Sequence, residues 1–310
     1  MSDSRPLLQL AHSPDPDDAF MWWPLLERDG RPARVDTGRF RFETVHDDIE
    51  SLNQRSREGE LEITAMSCAN YPQVSSLYAI TACGASMGDH YGPKLVARPD
   101  FSLEQLRRDG GRVAIPGTQT SAYAAARLML GADRFEAVVV PFEQIIDRVG
   151  DGAFDAGIVI HEGQLTYRDA GLELLADLGA WWSEQEGVPL PLGINAIRRD
   201  LEAQYGPGTL EEVTETLLAS VEYALSHRAE SVEYALQFAR GMSSELADEF
   251  VTLYVNKWTL DFGTDGRAAV EKFLLAGSVA GILPHCERLD FIAPANGRSA
   301  SVSTPNGSGA

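Results

Sequence analysis

A histidine closes the short apolar run Gly157-Ile158-Val159-Ile160-His161-Glu162, and three other stretches set hydroxyls or acids at comparable places. They are Ser13-Pro14-Asp15-Pro16-Asp17-Asp18, Ser67-Cys68-Ala69-Asn70 and Gly117-Thr118-Gln119-Thr120-Ser121. An imidazole held at a strand's end can take a proton from a bound small molecule. Small hydroxyl residues opening a helix leave free N–H groups for a carboxylate or phosphate. Each feature has a plainer alternative. His161 can simply hydrogen-bond a neighbouring loop, Thr120 or Ser121 can be an ordinary N-cap, and one or two of the acids between Ser13 and Asp18 can be caps as well. Nucleotide-type phosphate loops are disfavoured, because no G-x-x-x-x-G-K-[ST] occurs and no G-x-G-x-x-G follows a strand.

The elements that must position these residues are legible from periodicity. Residues 154–160 read as a buried strand following a helical pattern in which Phe142, Ile145, Ile146 and Val149 recur. His161 then sits at that strand's C-terminal edge, where open α/β sheets bind ligands. Residues 7–10 predict a strand that turns through the acids into a helix over 19–26. A helix over 47–58, broken by Gly59, and a strand over 61–66 deliver Ser67. A strand over 112–115 leads to the Thr120-Ser121 start of a helix over 122–130, which Gly131 can close. Further on, Thr209 with Glu212 resembles a capping box, and helices dominate to about Gly277. Tyr223, Tyr234, Phe238, Phe250 and Tyr254 fall on amphipathic patterns and read as packing residues.

Alternating strands and helices over residues 7–197 with a helical end favour an α/β fold of two lobes around a central cleft. Extended crossovers at 92–97 and 193–197 give a discontinuous lobe, residues 1–97 plus 198–293, and an inserted lobe, residues 98–197. The Gly-, Ser-, Asn- and Pro-rich tail, residues 294–310, is expected to be disordered. The cleft would collect Ser13, Ser67, Thr120 and His161.

Composition narrows the partners. A formal net charge of -20 over 310 residues argues against holding a nucleic-acid backbone or an anionic membrane surface. Three cysteines without C-x-x-C spacing suit a reducing compartment and no metal site. No leader-like or membrane-length apolar stretch is evident, so the expectation is a soluble, cytoplasmic protein.

With Gly179-Ala180-Trp181-Trp182 and Pro189-Leu190-Pro191-Leu192-Gly193, the four stretches resemble the 1,4-dihydroxy-6-naphthoate synthase family of the futalosine pathway of menaquinone biosynthesis, over roughly residues 7–285. The segment from Ile160 to Glu162, with Leu165-Thr166-Tyr167 after it, carries the resemblance most specifically. It implies a fold similar to type 2 periplasmic binding proteins, used as a carbon-carbon lyase that opens cyclic de-hypoxanthine futalosine without metal or organic cofactor. It also implies His161 as the proposed base, with Asp18, Ser67, Cys68, Thr120, Ser121 and Ala122 binding a small carboxylate substrate. The helix start around Thr118 to Ala122 is expected to hold that carboxylate. The first turn departs from the family's usual Ser-Pro-Cys-Pro-Asn-Asp-Thr-Phe: Asp18 keeps the acid, while Asp15 and Asp17 add charge. Two competing readings are a non-catalytic solute receptor of the same fold and the sister enzyme that dehydrates chorismate.

Overall fold

The computed structural model describes residues 4–239 and 243–295. Twelve strands occur among them: β1 Leu7–His12, β2 Arg41–His46, β3 Ile63–Ser67, β4 Tyr78–Thr81, β5 Ser86–Gly88, β6 Lys94–Ala97, β7 Arg112–Ile115, β8 Glu136–Val139, β9 Ala156–Val159, β10 Glu173–Asp177, β11 Leu190–Arg198 and β12 Phe291–Ile292. They form two sheets. The larger runs β12-β4-β11-β3-β1-β2 with β5 also on β11, and the smaller runs β10-β6-β9-β7-β8. In the larger sheet β1 lies parallel to both β2 and β3, and in the smaller β7 lies parallel to both β8 and β9, so the loops leaving β1, β3, β7 and β9 emerge at C-terminal sheet edges.

Sheet membership moves the expected ends of the inserted lobe. β6 precedes residue 98 yet pairs with β9 and β10 in the smaller sheet, while β11, which falls mostly within 98–197, pairs with β3 and β4 in the larger. Lys94–Ala97 and residues 193–197 are therefore strand, each belonging to the sheet that buries it, and not bare crossovers. The connections lie just outside them. There the chain crosses itself at bare main chain: the Leu178 N–H donates to Pro93 O at 2.9 Å, and a Cβ on Gly179 would lie 1.9 Å from Tyr91 O. The expected disorder of the tail falls, from residue 296 onward, outside the described residues.

Local packing explains the two elements that matter most. β9 is buried throughout, and Gly157 lets the helix Ile145–Gly150 lie directly on it, since a Cβ there would meet Ile145 Cγ2 at 2.6 Å and Val149 Cγ2 at 2.8 Å. β1 buries Leu8 and Leu10 completely beneath the helix Pro16–Trp22 and the long helix Thr209–Ser226, which together supply Phe20, Met21, Trp22, Val213, Leu217 and Val221 to one apolar cluster. A second cluster belongs to both sheets at once: Met66, Ile80 and Ile194 from the larger pack with Leu95, Val113 and Ile158 from the smaller around Trp182. The two halves are thus joined by continuous core, not only by hinges.

The helix Thr209–Ser226 begins differently from the expected capping box. Gly208 is its N-cap in a left-handed conformation, and no side-chain cap is formed. The Thr209 hydroxyl donates to Gly206 O at 2.6 Å and accepts from Arg39 Nη2 at 2.8 Å, while Glu212 receives Arg39 Nε at 2.7 Å, so both residues serve an arginine instead.

Candidate active site

The turn after β1 is built on Pro16, which occupies the first position of the helix Pro16–Trp22 and lacks the N–H that position would leave unsatisfied. Asp15 is the N-cap residue, yet its side chain makes no cap hydrogen bond. It does not cap this helix as the sequence suggests. Asp18 Oδ2 instead accepts from Ser13 Oγ at 2.7 Å and Ser13 N at 3.1 Å, which ties the turn to itself. Asp15, 1% exposed, places Oδ2 3.0 Å from His161 Nδ1.

His161 lies two residues beyond β9 and adopts φ 53, the left-handed region that non-glycine residues rarely occupy. Such a backbone costs about 1–3 kcal/mol and persists where surrounding structure enforces it. The ring meets Phe142 edge-on at 4.7 Å between centroids and Asp15 through Nδ1, so one neighbour comes from its own half and one from the other. The helix Gly163–Thr166 follows immediately.

Burial and charge act in opposite directions here. Burial disfavours the imidazolium of His161, but the charge and hydrogen bond of Asp15, with Glu162 and Asp17 adding to them, outweigh it and lift the pKa to about 9. Burial, then the charges of Asp18 and Asp15, hold Asp17 well above the usual carboxylate range. Burial also raises Asp18 to about 6, against the stabilising hydrogen bonds from Ser13. His12, at the end of β1, is driven by burial to about 3 and stays neutral, its Nδ1 2.7 Å from Ser13 O. Only His161 among the acids' neighbours is therefore held as a strong base.

Across from these groups lie hydroxyls and amides. Ser67 Oγ accepts from Asn53 Nδ2 at 3.1 Å, and Ser67 N donates to Asn53 Oδ1 at 2.8 Å, so one asparagine fixes the end of β3. Thr120 caps the helix Ser121–Leu130 through Tyr123 N at 3.2 Å. Ser121 Oγ donates to Leu192 O at 2.7 Å and accepts from Ala69 N at 3.2 Å, stitching the smaller half to the larger. Glu50 enters the loop before this helix: its carboxylate accepts from Thr118 N at 3.1 Å, Thr118 Oγ1 at 3.3 Å and Gln119 N at 3.2 Å. The amides at Thr118 and Gln119, expected to receive a substrate carboxylate, already serve a carboxylate of the protein. The donors left for a ligand narrow to the Ser121 and Ala122 end.

These groups line one cavity, about 700 Å³ when the open space at its mouth is counted. His161, Asp18, Ser67, Thr120, Ser121 and Ala122 all border it, as do Ser13 and Asp17. Cys68 does not: it is fully buried in the shared core, and burial, then Cys286, push its thiol far up. One residue beyond the strand end, its side chain turns inward while that of Ser67 lines the cavity. Phe250 and Tyr254, read from sequence as packing residues, are buried and also form cavity wall, and the Tyr254 hydroxyl donates to Gln164 Oε1 at 2.7 Å. Helical periodicity marks an inward face and does not distinguish core from cavity. Asp15 as the partner of His161 had no local signal, since Glu162 is the neighbour in sequence. Among the described residues no group of three or more His, Cys, Asp or Glu side chains converges as a metal site would require, and no helix is long and apolar enough to cross a membrane.

Comparison with known proteins adds four findings. Residues 8–278 match the family described as menaquinone biosynthesis. The chain is 37% identical over 286 residues to the 1,4-dihydroxy-6-naphthoate synthase of Thermus thermophilus, covering 92% of this chain and 99% of that protein. It is similar to a crystal structure of an Archaeoglobus fulgidus protein, at 40% identity and TM-score 0.81 over 89% of this chain and 98% of that one. At 13% identity it shares a fold with the ligand-binding component of an ABC-type import system from Staphylococcus aureus, at TM-score 0.67 over 96% and 99% of the two chains.

Proposed function

The chain belongs to the menaquinone biosynthesis family, and from that premise we propose that it is a carbon-carbon lyase converting cyclic de-hypoxanthine futalosine to 1,4-dihydroxy-6-naphthoate, with His161 as general base. The observation that carries the chemistry is a strongly basic imidazole bordering the same cavity as a helix N-terminus with hydroxyls around it. Ser121 and Ala122 would take the substrate carboxylate, favoured by the positive end of the helix Ser121–Leu130. His161 removes a proton, the carbon-carbon bond breaks, and aromatisation drives the fragments apart. The cavity's part is to orient the substrate, accept the proton and support developing oxyanion charge. No step in this scheme calls for a metal or an organic cofactor. On this reading the enzyme works in the cytoplasm, and the three free cysteines support a reducing compartment.

Purified protein incubated with cyclic de-hypoxanthine futalosine should yield 1,4-dihydroxy-6-naphthoate by mass spectrometry. Binding without conversion would replace the lyase by a solute receptor, and conversion of chorismate instead would assign the sister dehydratase.

A further inference from the structure

His161 and Asp15 approach each other from different sheets: the histidine from the loop after β9, the aspartate from the turn after β1. Both are held there by their surroundings. Asp15 N donates to Ser13 O at 2.8 Å and Asp15 O receives Ala19 N at 3.0 Å, which fixes the aspartate's backbone on both sides. The left-handed backbone of His161 and the edge of Phe142 fix the imidazole. The two sheets share a continuous apolar core, so the approach is set by rigid elements and not by a flexible arm.

Resting on the reading of His161 as base, we propose that Asp15 is a positioning residue: it holds Nδ1–H of His161 in one tautomer and one orientation, leaving Nε2 as the atom that receives the substrate's proton. A carboxylate on one imidazole nitrogen both selects the tautomer and makes the other nitrogen more basic. With Pro16 next in the chain, Asp15 has the backbone geometry of an N-cap without the cap hydrogen bond, and its side chain approaches His161 instead. The other charged groups near the ring are Asp17 and Asp18 from the same turn and Glu162 from the histidine's own loop, while Phe142 meets it edge-on. Asp15 is the acid that places an oxygen 3.0 Å from a ring nitrogen, and that geometry points to it.

The test is Asp15→Asn, which keeps the shape and removes the charge, with Asp15→Glu as the conservative partner. In Asp15→Asn, kcat on the high-pH plateau, where His161 is neutral in both proteins, should fall about tenfold to a hundredfold, as for other groups that orient a catalytic imidazole, with KM changed less than about threefold. Nuclear magnetic resonance of His161 in the substrate-free protein should show its titration moving from near 9 to about 6.5 or below, because burial then acts on the ring without its counter-charge. Asp15→Glu should recover part of both. An unchanged His161 titration in a folded Asp15→Asn protein would overturn the proposal whatever the enzyme's substrate is. Where the wild-type enzyme converts the substrate, an unchanged kcat in Asp15→Asn would overturn it as well. Absence of conversion by wild-type protein would count against the lyase reading alone, since the resonance experiment uses no substrate.

Discussion

Two helices begin at the cavity, and their first residues divide the work differently. At Ser121–Leu130 the cap Thr120 bonds Tyr123 N, and a glutamate from the other half covers the loop amides before it. At Pro16–Trp22 the residue in the equivalent place, Asp15, forms no cap and turns to His161. One start is spent on holding a helix and offering amides to an anion, whereas the other concentrates acids beside a base. A cap-type residue in a sequence therefore marks where a helix begins, and what lies within its reach decides what its side chain does.

The contrast breaks most visibly at the acid turn's partner. His161→Asn should lower kcat about a hundredfold to ten-thousandfold. Near-normal turnover would make the histidine structural and send the search for a base to Asp15, Asp17 and Asp18. Next in size is the pH profile. A base whose pKa lies near 9 is present in its neutral form only as that pH is approached, so kcat/KM should rise about fiftyfold between pH 7 and pH 9. A plateau already reached by pH 7 would mean that Asp15 does not control the ring.

On the donor side, Ser121→Leu should weaken substrate binding tenfold or more by filling the cavity end and removing the hydroxyl that joins Ala69 N to Leu192 O. Unchanged affinity by calorimetry would move the carboxylate elsewhere. Thr120→Ala should cost about 1 kcal/mol of stability, the usual loss of a helix cap, measured by denaturant unfolding. Asp15→Ala, by contrast, should show no such helix-capping loss, because no cap bond exists there to lose.

A further effect concerns Asp18. Its folded pKa of about 6 lies above its ordinary value, so its contribution to stability is present in acid and lost as pH rises through about 6. Asp18→Asn, whose side-chain oxygen can still accept from Ser13, should accordingly melt higher than wild type at pH 8 and match it near pH 4. Equal melting at both would mean that the turn solvates its acids better than their burial indicates.

Local signals carried much of this arrangement. The strand at Arg112–Ile115 and the helix closed by Gly131 lie where hydrophobic pattern and glycine place them, and His161 was legible as the end of an apolar run. What escaped is whatever joins one half to the other. Asp15 with His161 and Glu50 with Thr118 and Gln119 are meetings of residues far apart in the chain, and nothing in either neighbourhood announces them. Cys68 erred the other way, being adjacent to a cavity residue in sequence and turned from the cavity in space.

The crossing at Gly92 and Gly179 has an evolutionary consequence. A side chain on Gly179 would strike Tyr91 O at 1.9 Å, and one on Gly92 would lie 2.9 Å from Gly179 Cα. In each case the obstacle is backbone, which every residue carries, so no substitution in the partner can make room. Ordinary pairs of packed residues can drift together, one shrinking as the other grows. Here that route is closed, and both positions are locked to glycine for as long as the chain crosses itself at this point.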